Sequence, residues 1–321
     1  MQKANPDAKA KAAQLQLAGH ANPVRAIILM CLASALFACL DTTAKYLVAT
    51  TQVPLAEVVW IRYLGQLVAM VAVLGLVAVP QLIRSKRIGA QLVRSCLLLS
   101  STACNFMALR HLRLDQTTTI GFLTPLMVAA LAGPLLGEWI GWRRAVAIVI
   151  GFCGVLLAVR PGFAGLNPAF LFAFGSMLSY AFFSLITRYL AAYDSSETTL
   201  FYSLFAGTFL VAPFALADWH WPANWQTWAL LWSMGLYGAA GHYLFIVAHR
   251  LAPASRVVPF IYVTLITHSA GGFLVFGDVP DAWTLGGALI VIGSGLYLFH
   301  RERITARAEA VAMTSEAAKQ R

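Results

Sequence analysis

The chain has 321 residues, of which 60% are hydrophobic and only 11% are charged, and its formal net charge is +10. Soluble globular domains are about 45–50% apolar and about 25% charged, so this composition excludes an ordinary soluble domain. The basic excess does not indicate a nucleic-acid-binding protein either, because the basic residues are spread over short segments between apolar runs.

A helix needs about 20 mostly apolar residues to cross a bilayer, and such runs recur along almost the whole sequence. We predict ten transmembrane helices, called spans 1 to 10, and an all-α polytopic membrane fold. In chain order the spans cover residues 24–48, 55–79, 91–110, 116–136, 143–160, 168–191, 197–217, 227–249, 254–276 and 283–301. The polar segments 1–23 and 304–321 are predicted to be disordered cytoplasmic tails.

The distribution of basic residues predicts the orientation, because Lys and Arg concentrate in cytoplasmic loops. With the N-terminus inside, the outer loops hold only Arg110, Arg113 and Arg160. Lys45 and Arg62 lie within spans, so the other 18 of the 23 basic residues lie on the cytoplasmic side. An even number of spans then places both termini in the cytoplasm. We expect a multi-pass protein of the cell inner membrane.

The two halves of the chain align with each other in order through all five spans. The sequence AKYL at residues 44–47 ends span 1 and matches TRYL at 187–190, which ends span 6. Similarly, Gly-Glu at 137–138 matches Gly-Asp at 277–278. Five spans per repeat force the second copy to enter the membrane from the opposite side. Inverted repeats of this kind are typical of secondary transporters that work by alternating access.

Four short sequences carry a family resemblance. The sequences GPLLGE at 133–138 and GFCG at 151–154 resemble the end of the first EamA domain of the drug/metabolite transporter superfamily. The sequences LAPAS at 251–255 and FGDVPDAWTLG at 276–286 resemble the end of the second EamA domain. The resemblance implies repeats at about 24–160 and 168–303. It also implies transport of a small metabolite, such as an amino acid or a vitamin like riboflavin, with the direction left open.

Ionisable groups inside a membrane cost about 2.5–3.5 kcal/mol at the centre of a span, so they are candidate functional residues. Asp41 and Lys45 lie one turn apart on span 1 and can pair as i and i+4. Arg62 lies about two turns into span 2 from the same side. Together they could bind a carboxylate or zwitterionic substrate, or form a gate that substrate opens. The alternative is a structural ion pair that joins spans 1 and 2.

Two histidines, His242 in span 8 and His268 in span 9, lie well inside their spans. Histidine titrates near neutral pH, so either could couple transport to protons. Asp41 is a competing candidate, because a membrane carboxylate can alternate between a protonated and an ion-paired state. Each histidine could equally form a hydrogen bond that joins two helices.

Five further residues are candidates on their position. Asn105, Tyr180 and Tyr262 could line a substrate cavity, although packing between helices would also explain the two tyrosines. Pro125 and Pro259 lie within spans 4 and 9, where a proline removes a backbone hydrogen bond and loosens the helix. We therefore predict hinges at these two prolines.

The leading hypothesis is a secondary carrier that moves a small metabolite by alternating access. No Walker A motif is present, so ATP is not the expected immediate energy source. An intramembrane enzyme and a non-transporting scaffold are the alternatives, but motifs such as H-E-x-x-H and G-x-S-x-G are absent, so no enzyme is expected. The expected partners are a small-molecule substrate and the lipid bilayer, with no nucleic acid, cofactor or metal. A homodimer is left open.

Overall fold

The computed structural model describes residues 23–51, 53–75, 79–136, 141–159, 167–190, 193–222, 224–251, 260 and 262–319. These residues form an all-helical protein, which confirms the predicted class. The helices are α1 (Pro23–Thr50), α2 (Leu55–Leu74), α3 (Val79–Leu82), α4 (Ile88–Leu109), α5 (Leu114–Gly121), α6 (Thr124–Leu136), α7 (Trp142–Val159), α8 (Ala169–Leu190), α9 (Ser196–Phe205), α10 (Ala212–Ala217), α11 (Trp225–Leu251), α12 (Val263–Phe276) and α13 (Ala282–Lys319).

Seven helical segments in the described part of the chain are long and apolar enough to cross a membrane. They lie at predicted spans 1, 2, 3, 6, 7, 8 and 10. The helices at spans 5 and 9 are shorter, with apolar segments Ala145–Val159 and Val263–Phe276, and span 4 is divided between α5 and α6. Large apolar side chains such as Leu171 and Leu274 are more than 70% exposed, as expected of surfaces that contact lipid. The protein is therefore a multi-pass membrane protein, in which ten full spans stay a prediction.

Two helix ends differ from those predicted. Span 2 was expected to reach residue 79, but α2 ends at Leu74 because Gly75 adopts φ +78°, which favours glycine and breaks the helix. Residues 304–321 were predicted to be disordered, whereas α13 continues to Lys319. This segment is rich in Ala, Glu and Arg, which are strong helix formers. The predicted N-terminal tail lies almost entirely outside the described residues.

Within the described residues, two spans contain interruptions. In span 4 the α-helix stops at Gly121 and resumes at Thr124, immediately before Pro125, which has no N–H to donate to the preceding turn. In span 7 a π-helical turn, Ala206–Leu210, follows α9. The Tyr63 ring packs on Gly207 in this turn so closely that a Cβ there would lie 2.1 Å from its Cγ. Pro259, the second predicted hinge, lies outside the described residues.

The helices of the two halves intermingle instead of forming separate bundles. The most extensive contacts are those of α1 with α11, of α4 with α8 and of α7 with α13. In span numbers these are 1 with 8, 3 with 6, and 5 with 10. Exchanging the two repeats converts the first contact into the second and leaves the third unchanged. A two-fold relation between the repeats produces this pattern of contacts.

Candidate transport site

Asp41 on α1 lies between helices from both halves of the chain. Its Oδ1 accepts a hydrogen bond from Asn105 Nδ2 of α4 at 3.4 Å. Its Oδ2 lies 3.1 Å from Nε2 of His268 on α12. The side chain of Asp41 is 24% exposed and that of His268 only 4%. The structure thus brings together three of the predicted site residues.

Lys45 does not form the expected i, i+4 pair with Asp41. Its Nζ instead lies 2.5 Å from Oδ2 of Asp278, and 4.4 Å from the centroid of the Phe276 ring. The reason is the C-terminal cap of α12. Gly277 adopts the left-handed conformation at φ +70°, and the N–H of Asp278 then bonds back to the carbonyl of Gly272. This turn places the carboxylate of Asp278 beside α1.

Arg62 on α2 is 9% exposed and contacts α4. Its Nη1 donates a hydrogen bond to Oγ1 of Thr102 at 3.0 Å. Its guanidinium lies 4.9 Å from the ring centroid of Tyr63 and 5.6 Å from that of Phe106. Among the residues that the structure describes, no carboxylate lies within ion-pair distance of Arg62. The predicted structural ion pair between spans 1 and 2 is therefore not formed.

One face of α4 contacts both of these charges. Thr102, the partner of Arg62, and Asn105, the partner of Asp41, are three residues apart, so they lie on the same side of the helix. The carboxylate and the guanidinium are thus held about one turn apart along α4, and each has its own partners. Sequence spacing gave no indication of Thr102, because a threonine inside a span is common and carries no charge.

His242 on α11 has a different environment from His268. Its Nδ1 lies 2.8 Å from the carbonyl oxygen of Gly238 in the same helix, and its ring packs edge-to-face on Phe37 at 5.0 Å. Gln66 Nε2 approaches the same nitrogen at 3.3 Å. The bond to Gly238 stays within α11, and the contacts with Phe37 of α1 and Gln66 of α2 join α11 to two neighbouring helices.

The two candidate tyrosines lie apart from each other. Tyr180 on α8 is 42% exposed, and its ring lies 5.2 Å from that of Phe183. Tyr262 precedes α12 and packs edge-to-face on Phe122 at 5.0 Å. Its hydroxyl lies against Gly295 of α13, where a Cβ would come within 2.3 Å. These contacts favour a packing role for Tyr262, whereas the ring of Tyr180 is partly exposed on α8.

Two further polar clusters join the halves near the ends of the helices. Arg113 forms a two-pronged ion pair with Asp115 and also reaches Asp281 at 3.5 Å. Burial would lower the pKa of Arg113, but the hydrogen bonds and charge of Asp115, with the charge of Asp281, raise it above its usual value. This cluster connects the α4–α5 loop to the segment that precedes α13.

The second cluster surrounds Asp194, between α8 and α9. Its carboxylate accepts hydrogen bonds from Ser85, from the side chain of Gln91 and from the backbone N–H of Lys86. Burial would raise the pKa of Asp194, but these hydrogen bonds and the charge of Lys86 lower it below its usual value.

The sequence interpretation missed both clusters and the role of Asp278. One signal was available for Asp278, because the repeat alignment places an acidic residue, Glu138, at the matching position of the first repeat.

Comparison with known proteins identifies the family. A model of the EamA-like transporter family matches residues 24–160 and 167–299. The chain is 28% identical over 293 residues to the riboflavin transporter of Vibrio cholerae, covering 90% of this chain and 97% of that protein. It is 28% identical over 186 residues to the S-adenosylmethionine uptake transporter of Rickettsia prowazekii, covering 58% and 63%. It is 24% identical over 276 residues to a pseudopaline exporter of Pseudomonas aeruginosa, covering 83% and 93%.

A solved crystal structure shares the fold, with a TM-score of 0.55 and 14% identity over 84% of this chain and 94% of the other. The relatives are named as transporters of small molecules and not as enzymes. Their names confirm the prediction that the protein is a transporter and not an enzyme. The family model matches one segment in each half and together these segments cover most of the sequence. The protein therefore belongs to the EamA-like transporter family.

Proposed function

We propose that this protein is a secondary carrier that moves a small metabolite across the inner membrane by alternating access, with both termini in the cytoplasm. The observation that carries the proposal is the position of Asp41. It lies nine residues before the end of α1, about 14 Å along the helix, and touches Asn105 of the first repeat and His268 of the second. A carboxylate in this position changes its surroundings whenever the repeats move relative to each other.

Contacts at one end of the molecule supply a candidate gate. Lys45 on α1 pairs with Asp278 after α12, and Arg113 after α4 reaches Asp281 before α13. Both contacts join the first repeat to the second on the side that the charge distribution predicts to be outside. We propose that these pairs close the path from Asp41 to the outside and separate when the carrier opens in that direction.

The charges around Asp41 favour a substrate with a cationic or hydrogen-bond-donating group. Lys45 and Arg62 were expected to attract a carboxylate, but Lys45 is neutralised by Asp278 and Arg62 is enclosed by Thr102 and aromatic rings. Asp41 keeps partial exposure and accepts donors from its neighbours. Riboflavin and S-adenosylmethionine, which the names of two relatives carry, both offer such donors and are the first compounds to test.

The test is counterflow in proteoliposomes. Vesicles loaded with unlabelled riboflavin or S-adenosylmethionine receive the labelled compound outside, and a carrier concentrates the label without any ion gradient. We expect Asp41→Asn to lower the counterflow rate at least about tenfold, because substrate loses a charged acceptor that contributes about 1.5–3 kcal/mol. Asp218→Asn is the matched control, since Asp218 is a carboxylate whose side chain is 72% exposed.

Two results would contradict the proposal. If Asp41→Asn lowers membrane abundance as much as it lowers transport, Asp41 has a structural role. If cells that lack or overproduce the protein show no difference in any metabolite inside or outside, the scaffold alternative is favoured. The same metabolite comparison decides between export and import, since an exporter depletes its substrate from the cell.

A further inference from the structure

We infer that Asp41 and His268 together form a proton-binding site that holds a single proton in this conformation, and that this proton is the coupling ion of the carrier. The existence of the site follows from hydrogen-bond geometry alone. Its role in coupling rests on the proposed function, so the two parts are tested separately.

The first step is the protonation of Nδ1. This nitrogen of His268 lies 2.9 Å from the carbonyl oxygen of Thr264, one turn earlier in α12. A backbone carbonyl can only accept a hydrogen bond, so Nδ1 must carry the hydrogen. The bond also holds the imidazole with Nε2 directed at α1. A fixed tautomer set by the second ring nitrogen is a recurrent feature of functional histidines.

The second step concerns Nε2, which lies 3.1 Å from Oδ2 of Asp41. With Nδ1 protonated, two arrangements satisfy this contact. Either Nε2–H donates to a carboxylate, or a protonated Asp41 donates to a neutral imidazole. Both contain one proton between the two residues and both give the pair a net charge of zero. Without that proton, two lone pairs would face each other at hydrogen-bond distance.

The third step is that neighbouring ionisable groups do not take the place of this proton beside Asp41. Five ionisable groups on α1 and the neighbouring helices have other partners within the described part of the chain: Lys45 with Asp278, Arg62 with Thr102, Arg94 with Thr187 and Ser203, Asp115 with Arg113, and His242 with Gly238. The remaining contact of Asp41 is the neutral amide of Asn105. Loss of the proton therefore leaves an anion beside a histidine that is 96% buried.

The fourth step links the proton to the contact between α1 and α12. Next to Asp41, Thr42 packs so closely on Gly271 that a Cβ on the glycine would lie 2.4 Å from its Oγ1. Further polar contacts connect the same two helices on either side, at Ser34 with Thr264 and at Lys45 with Asp278. The proton therefore lies in the middle of a tight interface. Removing it weakens the interface, and separating the helices releases it, because linkage is reciprocal.

The first experiment needs no substrate. The five free cysteines are replaced, and Thr42→Cys is labelled in whole cells with a membrane-impermeant maleimide. Ala49→Cys, at an exposed position of α1, corrects for the intrinsic pH dependence of thiol labelling. We expect the Thr42→Cys to Ala49→Cys rate ratio to rise at least about threefold when the labelling pH is raised from about 6 to about 9, because removal of the proton weakens the contact between α1 and α12.

Two histidine variants serve as matched controls in the Thr42→Cys background. His268→Gln keeps an N–H donor for Asp41 but cannot titrate, so we expect its labelling ratio to be independent of pH. His242→Gln alters a histidine that is bonded to its own helix, so the pH dependence should persist. An equal pH dependence in His268→Gln, or a flat ratio in the parent, would overturn the proton site.

The second experiment tests coupling in proteoliposomes that contain riboflavin or S-adenosylmethionine. In the parent protein we expect an imposed pH gradient to drive accumulation of the transported compound, and in His268→Gln we expect no response to the gradient. Counterflow without any response to a pH gradient in the parent would refute coupling and leave the proposed function standing. If neither compound shows counterflow, the choice of substrate fails, while the labelling result still decides whether the proton site exists.

Discussion

The ion pair between Lys45 and Asp278 offers the sharpest test of the candidate gate. An exposed ion pair contributes up to about 1 kcal/mol, whereas breaking a buried pair costs about 3–5 kcal/mol. The two side chains are 10% and 26% exposed, which places this pair between those limits. We therefore expect a coupling free energy of about 2 kcal/mol, equivalent to about a 30-fold change in an equilibrium constant.

A double-mutant cycle with Lys45→Met and Asp278→Asn measures this coupling. Methionine keeps the apolar stem that lies over the Phe276 ring, so the substitution removes chiefly the charge. Each single variant should raise the labelling rate of Thr42→Cys by up to about 30-fold, because the open form becomes more populated. If this ion pair alone keeps the gate closed, the double variant should be labelled at Thr42→Cys no faster than either single variant.

The matched control is a second cycle in which Asp41→Asn replaces Asp278→Asn. Asp41 is one turn from Lys45 in sequence, but its carboxylate contacts Asn105 and His268. We expect the coupling of Lys45 to Asp41 to be below about 0.5 kcal/mol, as for an i, i+4 pair on a helix surface. Stronger coupling to Asp41 than to Asp278, or additive effects in the first cycle, would refute this assignment of the gate.

Two other predictions concern stability in detergent. Gly207→Ala should lower the free energy of unfolding by about 1–3 kcal/mol, because its Cβ would overlap the Tyr63 ring. Gly89→Ala is the control, since a Cβ there meets no atom within 4 Å and should cause no loss of stability. Thermal unfolding compares the two variants, and equal effects would contradict the close contact at Gly207. Asp194 has a lowered pKa in the folded state, so its contribution is present above its unfolded pKa of about 4 and is lost as pH falls through the lower folded value. The Tm advantage of the parent over Asp194→Asn should be full above about pH 5 and shrink at lower pH, and an advantage that grows on acidification would contradict this sign.

Helix positions could be predicted from the sequence because a bilayer requires long apolar runs whatever the tertiary contacts are. The interruption of span 4 could also be predicted from local sequence, since Pro125 lacks the N–H that a continuous helix needs. The π-helical turn at Ala206–Leu210 could not be predicted from the sequence. It lies where Gly207 packs against Tyr63, a residue from the other half of the chain, and no local pattern marks that contact.

The sequence also identified which ionisable residues deserve scrutiny, because a charge inside a membrane is costly wherever its partner lies. It could not identify the partners. Asp41 and Lys45 are four residues apart and invite a local pair, but their partners in the structure are His268 and Asp278, 227 and 233 residues away. Spacing along a helix determines only which side chains share a face. Which charges meet across α1 and α12 was decided by the packing of the two repeats, because a buried charge is satisfied by the donor or acceptor that tertiary contact brings within hydrogen-bond distance.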